Sequence, residues 1–219
     1  MTMHLTVIFF TVALAHFIAL LSPGPDFLLV VKSGIRNDKR SALGVALGIA
    51  CANAFYIALC LVGVGAILAA SITAMIVLKL VGGLFLTYLA VMALKARKQN
   101  YDFLRAAAMQ PAGKKSSFGR EFLTGLASGI FNPKNPLFYV SLFTLVLNKD
   151  VGMGFKVALG VWMTSMVFLW DAAIIFVLSR QKVRSVFNGA AFYIDKAAAL
   201  ILGTIGFTMV RSALAQGSK

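Results

Sequence analysis

Six long apolar segments, separated by short polar connections, make up most of the chain. They run over Leu5–Val31, Ser41–Ala69, Thr73–Leu94, Phe118–Leu147, Val157–Leu178 and Ala190–Val210. Each offers about the 20 apolar residues that a helix needs to cross a bilayer. The pattern therefore predicts an all-α integral membrane protein, with six transmembrane helices in a single domain over residues 1–219.

The composition leaves no room for a separate soluble domain. Of the 219 residues, 60% are hydrophobic and 13% are charged, whereas a soluble domain carries about 25% charged residues. The net charge of +14 comes from basic clusters that follow segments one, three and five. The clusters are Lys32, Arg36, Lys39 and Arg40; Lys95, Arg97, Lys98, Arg105, Lys114, Lys115 and Arg120; and Arg180, Lys182 and Arg184.

Basic residues in alternate connections mark the cytoplasmic side of a membrane protein. Six crossings with this asymmetry place both chain termini outside the cytoplasm. The same placement argues against a nucleic-acid partner and leaves anionic membrane lipids as a partner for the basic clusters. No Lys or Arg precedes the first apolar segment, so we expect that segment to remain as a helix rather than to be cleaved as a signal peptide.

The chain divides into two similar halves, at about residues 1–94 and 118–213, joined by a basic cytoplasmic loop at about 95–117. Ala46-Leu47-Gly48 recurs as Ala158-Leu159-Gly160, and Gly83 has a counterpart in Gly203. Because three crossings are an odd number, the halves would cross the membrane in opposite directions. Inverted repeats of this kind are common in secondary transporters.

Two proline clusters interrupt the first helix of each half. They read Ser22-Pro23-Gly24-Pro25-Asp26 and Asn132-Pro133-Lys134-Asn135-Pro136. Proline donates no backbone hydrogen bond and clashes with the carbonyl four residues earlier. The carbonyls that lose their helical partner are those of Ala19, Leu21, Gly129 and Asn132.

Ser22 and Asn132 are good N-cap residues, each followed by proline at the favoured first position. We therefore expect helices one and four to stop and restart. Counted from the basic residues at the segment ends at about 1.5 Å of rise per residue, both breaks lie near the middle of the bilayer. A helix that restarts there presents backbone N–H groups that suit a carboxylate. Paired breaks in two halves are the best sequence indication of a transport site; the alternative is that the prolines are simple kinks.

The two clusters resemble the signature motifs of the lysine exporter family, and of its homoserine/threonine-resistance branch in particular. The resemblance rests on Ser22-Pro23-Gly24-Pro25-Asp26 and Asn132-Pro133-Lys134, and it covers essentially the whole chain. It implies export of amino acids across the bacterial cytoplasmic (inner) membrane, driven by the proton gradient. Asp26, directly after the first motif, is most similar to the threonine-efflux members.

Charged groups inside the apolar segments provide the remaining candidates. A charge near the bilayer centre costs at least about 2.5–3.5 kcal/mol, so Asp26, Lys134 and Asp171 each need a partner or a function. We expect the three to converge. Lys134 and the helix starts would hold a substrate carboxylate, one aspartate the ammonium group, and the other aspartate the coupling proton. The alternative is a structural ion pair between Lys134 and either aspartate.

The candidate substrate-binding residues are therefore Ser22, Pro23, Gly24, Pro25, Asp26, Asn132, Pro133, Lys134 and Asn135. The candidates for proton coupling are Asp26, Asp171 and His16, although a lone histidine in a bundle is more often a packed, hydrogen-bonded residue. Asn53 is expected to line the same cavity. Lys79 is expected to be structural, with its ammonium group at the outer interface.

Three further polar residues, Glu121, Asp195 and Lys196, lie close to predicted segment ends, and we assign them no function. Gly44 and Gly48 form a Gly-x-x-x-Gly pattern that favours close helix packing, within the monomer or between subunits. That pattern leaves a homodimer open.

Other classes of protein fit the sequence less well. Cys51 and Cys60, nine residues apart on one helix, lie about 13.5 Å apart along its axis and cannot form a disulfide. No nucleotide-binding loop, hydrolase motif or cofactor motif is present. We expect a transporter rather than an enzyme, one that exports a threonine- or homoserine-like amino acid by alternating access as one half rocks against the other. Its alternatives are exporters of a basic amino acid or of a metal cation.

Overall fold

Helices form nearly all of the chain that the computed structural model describes, which comprises residues 2–22, 24–64, 72–97, 116–146, 151–177 and 181–217. The helices are α1 (Thr2–Leu21), α2 (Pro25–Arg36), α3 (Lys39–Leu59, continued by a π-helical turn over Cys60–Val64), α4 (Ile72–Lys95), α5 (Phe118–Phe131), α6 (Lys134–Val146), α7 (Met153–Val177) and α8 (Gln181–Gly217). Within these ranges the structure contains no strand, so the predicted all-α class is confirmed.

The number of membrane crossings is supported only in part. Within the described part of the chain, four helical stretches are long and apolar enough to span a bilayer: Lys39–Gly63, Ile76–Lys95, Met153–Val177 and Phe192–Gln216. A fifth crossing results if Leu5–Leu21 and Pro25–Arg36, which meet at a bend of 57°, are one broken span. The predicted fourth segment consists of α5 and α6, which are not among these stretches. Six crossings in an inverted repeat therefore stay a prediction.

The first break lies where the sequence predicts it, but its cap residue differs. The helix restarts at Pro25, and the N-cap is Gly24 rather than Ser22. Gly24 is extended, with φ −121° and ψ −173°, because a residue that precedes proline is excluded from the helical region. The backbone N–H of Ser22 instead closes the end of α1 on the carbonyl of Ile18. Pro23 lies outside the described residues.

The second break follows the prediction closely. The side-chain oxygen of Asn132 accepts a hydrogen bond from the backbone N–H of Lys134 at 3.1 Å, as an N-cap does. Its carbonyl, which Pro136 deprives of a helical partner, accepts from the backbone N–H of Asn135 at 3.1 Å. The first turn of α6 is therefore already capped from within the break.

Two separate hydrophobic clusters form the core. One contains Phe27, Val30 and Val31 of α2 with buried residues of α3 and α7. The other joins buried residues of α1, α4, α6 and α8 with the end of α3 and the start of α7. The first broken helix therefore contributes α1 to one cluster and α2 to the other, which places its break at the boundary between two cores.

The two halves of the chain are interleaved. The most extensive helix contacts are those of α4 with α8 and of α3 with α5, and each pairs one helix from each half. Gly44 and Gly48 lie against the backbone of Phe118 and Phe122 on α5. The predicted Gly-x-x-x-Gly face is thus occupied within the monomer.

Candidate functional site

A cavity lies between the two helix breaks, and most of the predicted site residues line it. The empty space between the breaks is about 550 Å³ when the part open to the outside is included. The predicted residues that line it are His16, Ser22, Gly24, Asp26, Asn53, Asn132, Lys134, Asn135 and Asp171. Pro25 and Pro133 are not part of the lining; they determine where the helices restart.

Asp26, in the first turn of α2, is hydrogen-bonded to the second break and to the helix before it. Its carboxylate accepts hydrogen bonds from the hydroxyl of Ser128 at 2.6 Å, the amide of Asn132 at 2.8 Å and the amide of Asn135 at 3.0 Å. All three donors are uncharged side chains. Asp26 therefore joins the two breaks.

Lys134, from the second break, reaches in the opposite direction. Its ammonium group donates to the carbonyl of Ala19 at 3.2 Å and lies beside Gly24 at the start of α2. An ammonium group has three donors, and within the described chain this is the one hydrogen bond that it makes, so two donors remain for a ligand. Neither Asp26 nor Asp171 forms the direct ion pair with Lys134 that was the structural alternative.

Several carbonyls that lose their helical partner at the breaks find new ones, as the apolar surroundings require. Lys134 satisfies Ala19, and the amide of Asn135 satisfies Gly129 at 3.0 Å. The hydroxyl of Tyr56 on α3 donates to the carbonyl of Ile130 at 2.6 Å. The breaks are thus stabilised by specific side chains.

Asp171, on α7, provides an acceptor without a partner. The side chain is 5% exposed, and its Oδ2 has no hydrogen-bond partner among the described residues. Asn53, also buried, donates its amide to the carbonyl of Ile49 at 2.8 Å, so that its side-chain oxygen remains available. Both residues line the cavity. Since a buried polar group without a partner is costly, this pair is suited to a cationic ligand or a proton.

His16 is a packed residue that also reaches the cavity. It is 1% exposed, and its Nε2 lies 3.4 Å from the hydroxyl of Tyr139. The rings of Phe138, Tyr139 and Trp162 surround it. Its Nδ1 has no partner among the described residues, so His16 retains one open polar atom at the site.

Asp195 and Lys196 have contacts that the sequence analysis missed. Because α8 begins at Gln181 rather than near Ala190, both lie well inside a helix. Asp195 is 6% exposed and accepts a hydrogen bond from the hydroxyl of Ser22 at 2.7 Å. Lys196 donates to the carbonyls of Ala93, Leu94 and Ala96 at the end of α4, where a cation is favourable. The signal in the sequence was a charged pair within an apolar run.

Other charged residues and the cysteines lie away from the cavity. Lys79 donates to the side chain of Gln216 at 3.1 Å, which joins the start of α4 to the end of α8. Glu121 accepts a hydrogen bond from Ser33, between α5 and α2. Cys51 and Cys60 are free thiols, as predicted.

Comparison with known proteins supports the same class of molecule. The threonine efflux protein of Salmonella typhimurium is 28% identical over 205 residues, which cover 94% of this chain and 98% of that protein. The threonine efflux protein of Escherichia coli K12 is 26% identical over the same coverage, and a membrane protein of Haemophilus influenzae is 27% identical over 90% of this chain and 93% of its own. No solved structure matches.

The family model for the LysE type translocators matches residues 17–213. That range includes both helix breaks and every residue described above as lining the cavity except His16. The expected resemblance is therefore confirmed, and with it a transporter rather than an enzyme. The protein belongs to the LysE type translocator family.

Proposed function

We propose that the protein exports a small neutral amino acid, threonine- or homoserine-like, from the bacterial cytoplasm across the inner membrane in exchange for protons. One observation carries the proposal: the same cavity is lined by Lys134, a cation with open donors, and by Asp171, whose Oδ2 has no partner among the described residues. An amino-acid zwitterion carries the complementary pair of charges. The names of the threonine efflux relatives support the same choice of substrate.

Lys134 holds the substrate carboxylate. Two of its ammonium donors are open, and the start of α2 lies beside it at Gly24. The start of α6 contributes less than the sequence suggested, because Asn132 already caps it. The carboxylate therefore binds between Lys134 and the first turn of α2, where charge-assisted hydrogen bonds are strong.

Asp171 holds the substrate ammonium group, with the side-chain oxygen of Asn53 as a second acceptor. Asp26 is less suited to this task, since Ser128, Asn132 and Asn135 already take three of the roughly four acceptor sites of its carboxylate. Asp26 instead keeps the two breaks together, and the proton-coupling role is left to Asp171 and His16.

Exchange follows from competition at Asp171. A buried carboxylate is stable when it carries a proton or when it faces an ammonium group, and it is costly with neither. Substrate arriving from the cytoplasm displaces the proton, and a proton arriving from outside displaces the substrate. The same group thereby couples the two movements without a second ion site.

The helix breaks act as hinges for alternating access. Rocking one half of the chain against the other would pull apart the α3–α5 and α4–α8 contacts, which are the most extensive in the fold. Bending at the first break would instead move α2 and its hydrophobic cluster relative to α1 and the other cluster. The cavity lies at the breaks and is thereby exposed to each side in turn.

Both termini lie outside the cytoplasm in this proposal. The contact of Lys79 with Gln216 supports it, because it places the end of α8 beside the start of α4, which the charge pattern assigns to the outer side. A reporter fused at the C-terminus that is active only in the cytoplasm would contradict this orientation.

A basic amino acid or a metal cation is a weaker candidate. A second cationic group would need another open carboxylate, and in the described cavity Asp26 is already engaged. Among the described residues, no three His, Cys, Asp or Glu side chains come together in a way that could hold a metal ion.

The test is export from cells loaded with threonine- or homoserine-containing peptides, measured with and without a protonophore. Cells with the wild-type protein should export faster than cells with empty membranes, and the protonophore should abolish the difference. Asp171→Asn can neither carry the proton nor balance the substrate ammonium group, so its export should fall close to that of empty membranes and should not respond to the protonophore. A response equal to that of the wild type would exclude Asp171 as the coupling group.

A further inference from the structure

Asp195, on α8, contacts the first helix break at Ser22. Its helix, α8, packs along α4 and contacts α1, and its carboxylate accepts the hydroxyl of Ser22 at 2.7 Å. Ser22 lines the cavity, although Asp195 is not itself among the lining residues. An acidic group therefore lies directly behind the cavity wall.

Lys134 reaches the same short stretch of chain from α6. Its ammonium group donates to the carbonyl of Ala19 on one side of Ser22 and lies near Gly24 on the other. Asp195 and Lys134 therefore approach the same few residues from two different helices. Since the donors at the second break hold the carboxylate of Asp26 there, Asp195 is, among the described residues, the remaining acidic group beside the stretch of chain that Lys134 contacts.

A buried ammonium group needs a counter-charge while the site is empty. An incoming substrate carboxylate offers the same charge from inside the cavity. We propose that Asp195 is the resident counter-ion of Lys134, which holds the ammonium group at the cavity wall until a substrate carboxylate takes over that charge. Asp195 is thus a positioning residue rather than a ligand.

The pairing can be tested without any substrate, by a double-mutant cycle on thermal unfolding in detergent. Asp195→Asn keeps an acceptor for Ser22 but removes the charge, and Lys134→Met removes the cation. Each single variant should lower the unfolding midpoint by about 5 °C, and the double variant by clearly less than the sum, because each single change leaves one buried charge uncompensated. Additive shifts would overturn the proposal.

A second test uses purified protein and two ligands, threonine and its amino alcohol, which lacks the carboxylate. This test rests on the proposed function. With the competing charge removed, Asp195→Asn should bind threonine at least about five-fold more tightly and the amino alcohol within about two-fold of wild type. Weaker binding of both ligands would indicate a merely structural role and overturn the proposal.

Glu121→Gln is the matched control, since Glu121 also accepts a serine hydroxyl across two helices but lies away from the cavity. Its affinity for both ligands should equal that of the wild type. If the wild-type protein binds no amino acid, the proposed function fails, whereas the thermal cycle still decides whether Asp195 and Lys134 are coupled.

Discussion

The amide of Asn132 donates a 2.8 Å hydrogen bond to the carboxylate of Asp26, and the two residues belong to different helix breaks. Lys134 makes another connection in the same sense, from the second break to the carbonyl of Ala19 at the first. The second break therefore supplies donors, and the first break supplies acceptors. This pairing explains how two interrupted helices can be stable within an apolar bundle.

Removal of the Asp26 carboxylate should destabilise the protein. Asp26→Ala leaves three donors without their acceptor, and we expect a loss of about 2–4 kcal/mol in the free energy of unfolding. The measurement is denaturant or thermal unfolding in detergent. Asp38→Ala is the comparison, because Asp38 caps the start of α3 through Ser41 and a lost cap costs about 1 kcal/mol. Equal losses would show that Asp26 does not link the breaks.

Lys134→Ala should abolish export while the protein remains folded and inserted, because the cation that holds the carboxylate is lost. Lys79→Ala is the control: it also removes a lysine from an apolar helix, but Lys79 contacts Gln216 away from the cavity. We expect at least about a ten-fold fall in export for the first variant and near wild-type export for the second. Loss of folded Lys134→Ala protein in detergent would indicate a structural role instead.

Gly48→Ala should weaken the contact between α3 and α5. A methyl group there would overlap the backbone of Phe122 and Leu126, and the misfit should cost about 1–3 kcal/mol. Gly119→Ala places the same methyl group on α5 where nothing lies within 4 Å. Since alanine favours a helix by about 1 kcal/mol over glycine, this control should be neutral or stabilising. The measurement is the unfolding midpoint, which should be lower than that of the wild type for Gly48→Ala and not for Gly119→Ala. Equal midpoints for the two variants would contradict a tight α3–α5 contact at Gly48.

Pro25→Ala should slow export without unfolding the protein. Alanine restores a backbone donor and relieves the restriction on Gly24, so that α1 and α2 can join into a straighter helix. Export from peptide-loaded cells is the measurement, with the amount of inserted protein as its control. Unchanged export would count against a functional break.

The positions of the breaks could be predicted because proline acts locally. The lost donor and the clash with the preceding turn depend on a few neighbouring residues, and the sequence shows them directly. The wrong choice of Ser22 as N-cap also has a local cause: two prolines compete to start the helix, and Gly24, which precedes the second, takes the extended conformation. The restriction that Pro25 places on the residue before it would have predicted Gly24 as the N-cap.

The partners across the site could not be predicted in the same way. Lys134 and Ala19 meet because two distant helices pack, and a single sequence does not record that contact. The role of Asp195 is not evident from the sequence because hydropathy places the start of the last helix near Ala190, whereas α8 begins at Gln181. Apolar patterns locate the part of a helix that faces lipid, but not the polar turns that extend it.

The interleaving of the two halves has a consequence for how the polypeptide is held together. Since α3 packs on α5 and α4 on α8, residues 2–97 and residues 116–217 are joined by extensive non-covalent contacts as well as by the peptide chain. We therefore expect helix packing to hold the two halves together even without the peptide link between them. Two fragments made as separate polypeptides in one cell should therefore assemble, as the products of a split gene would.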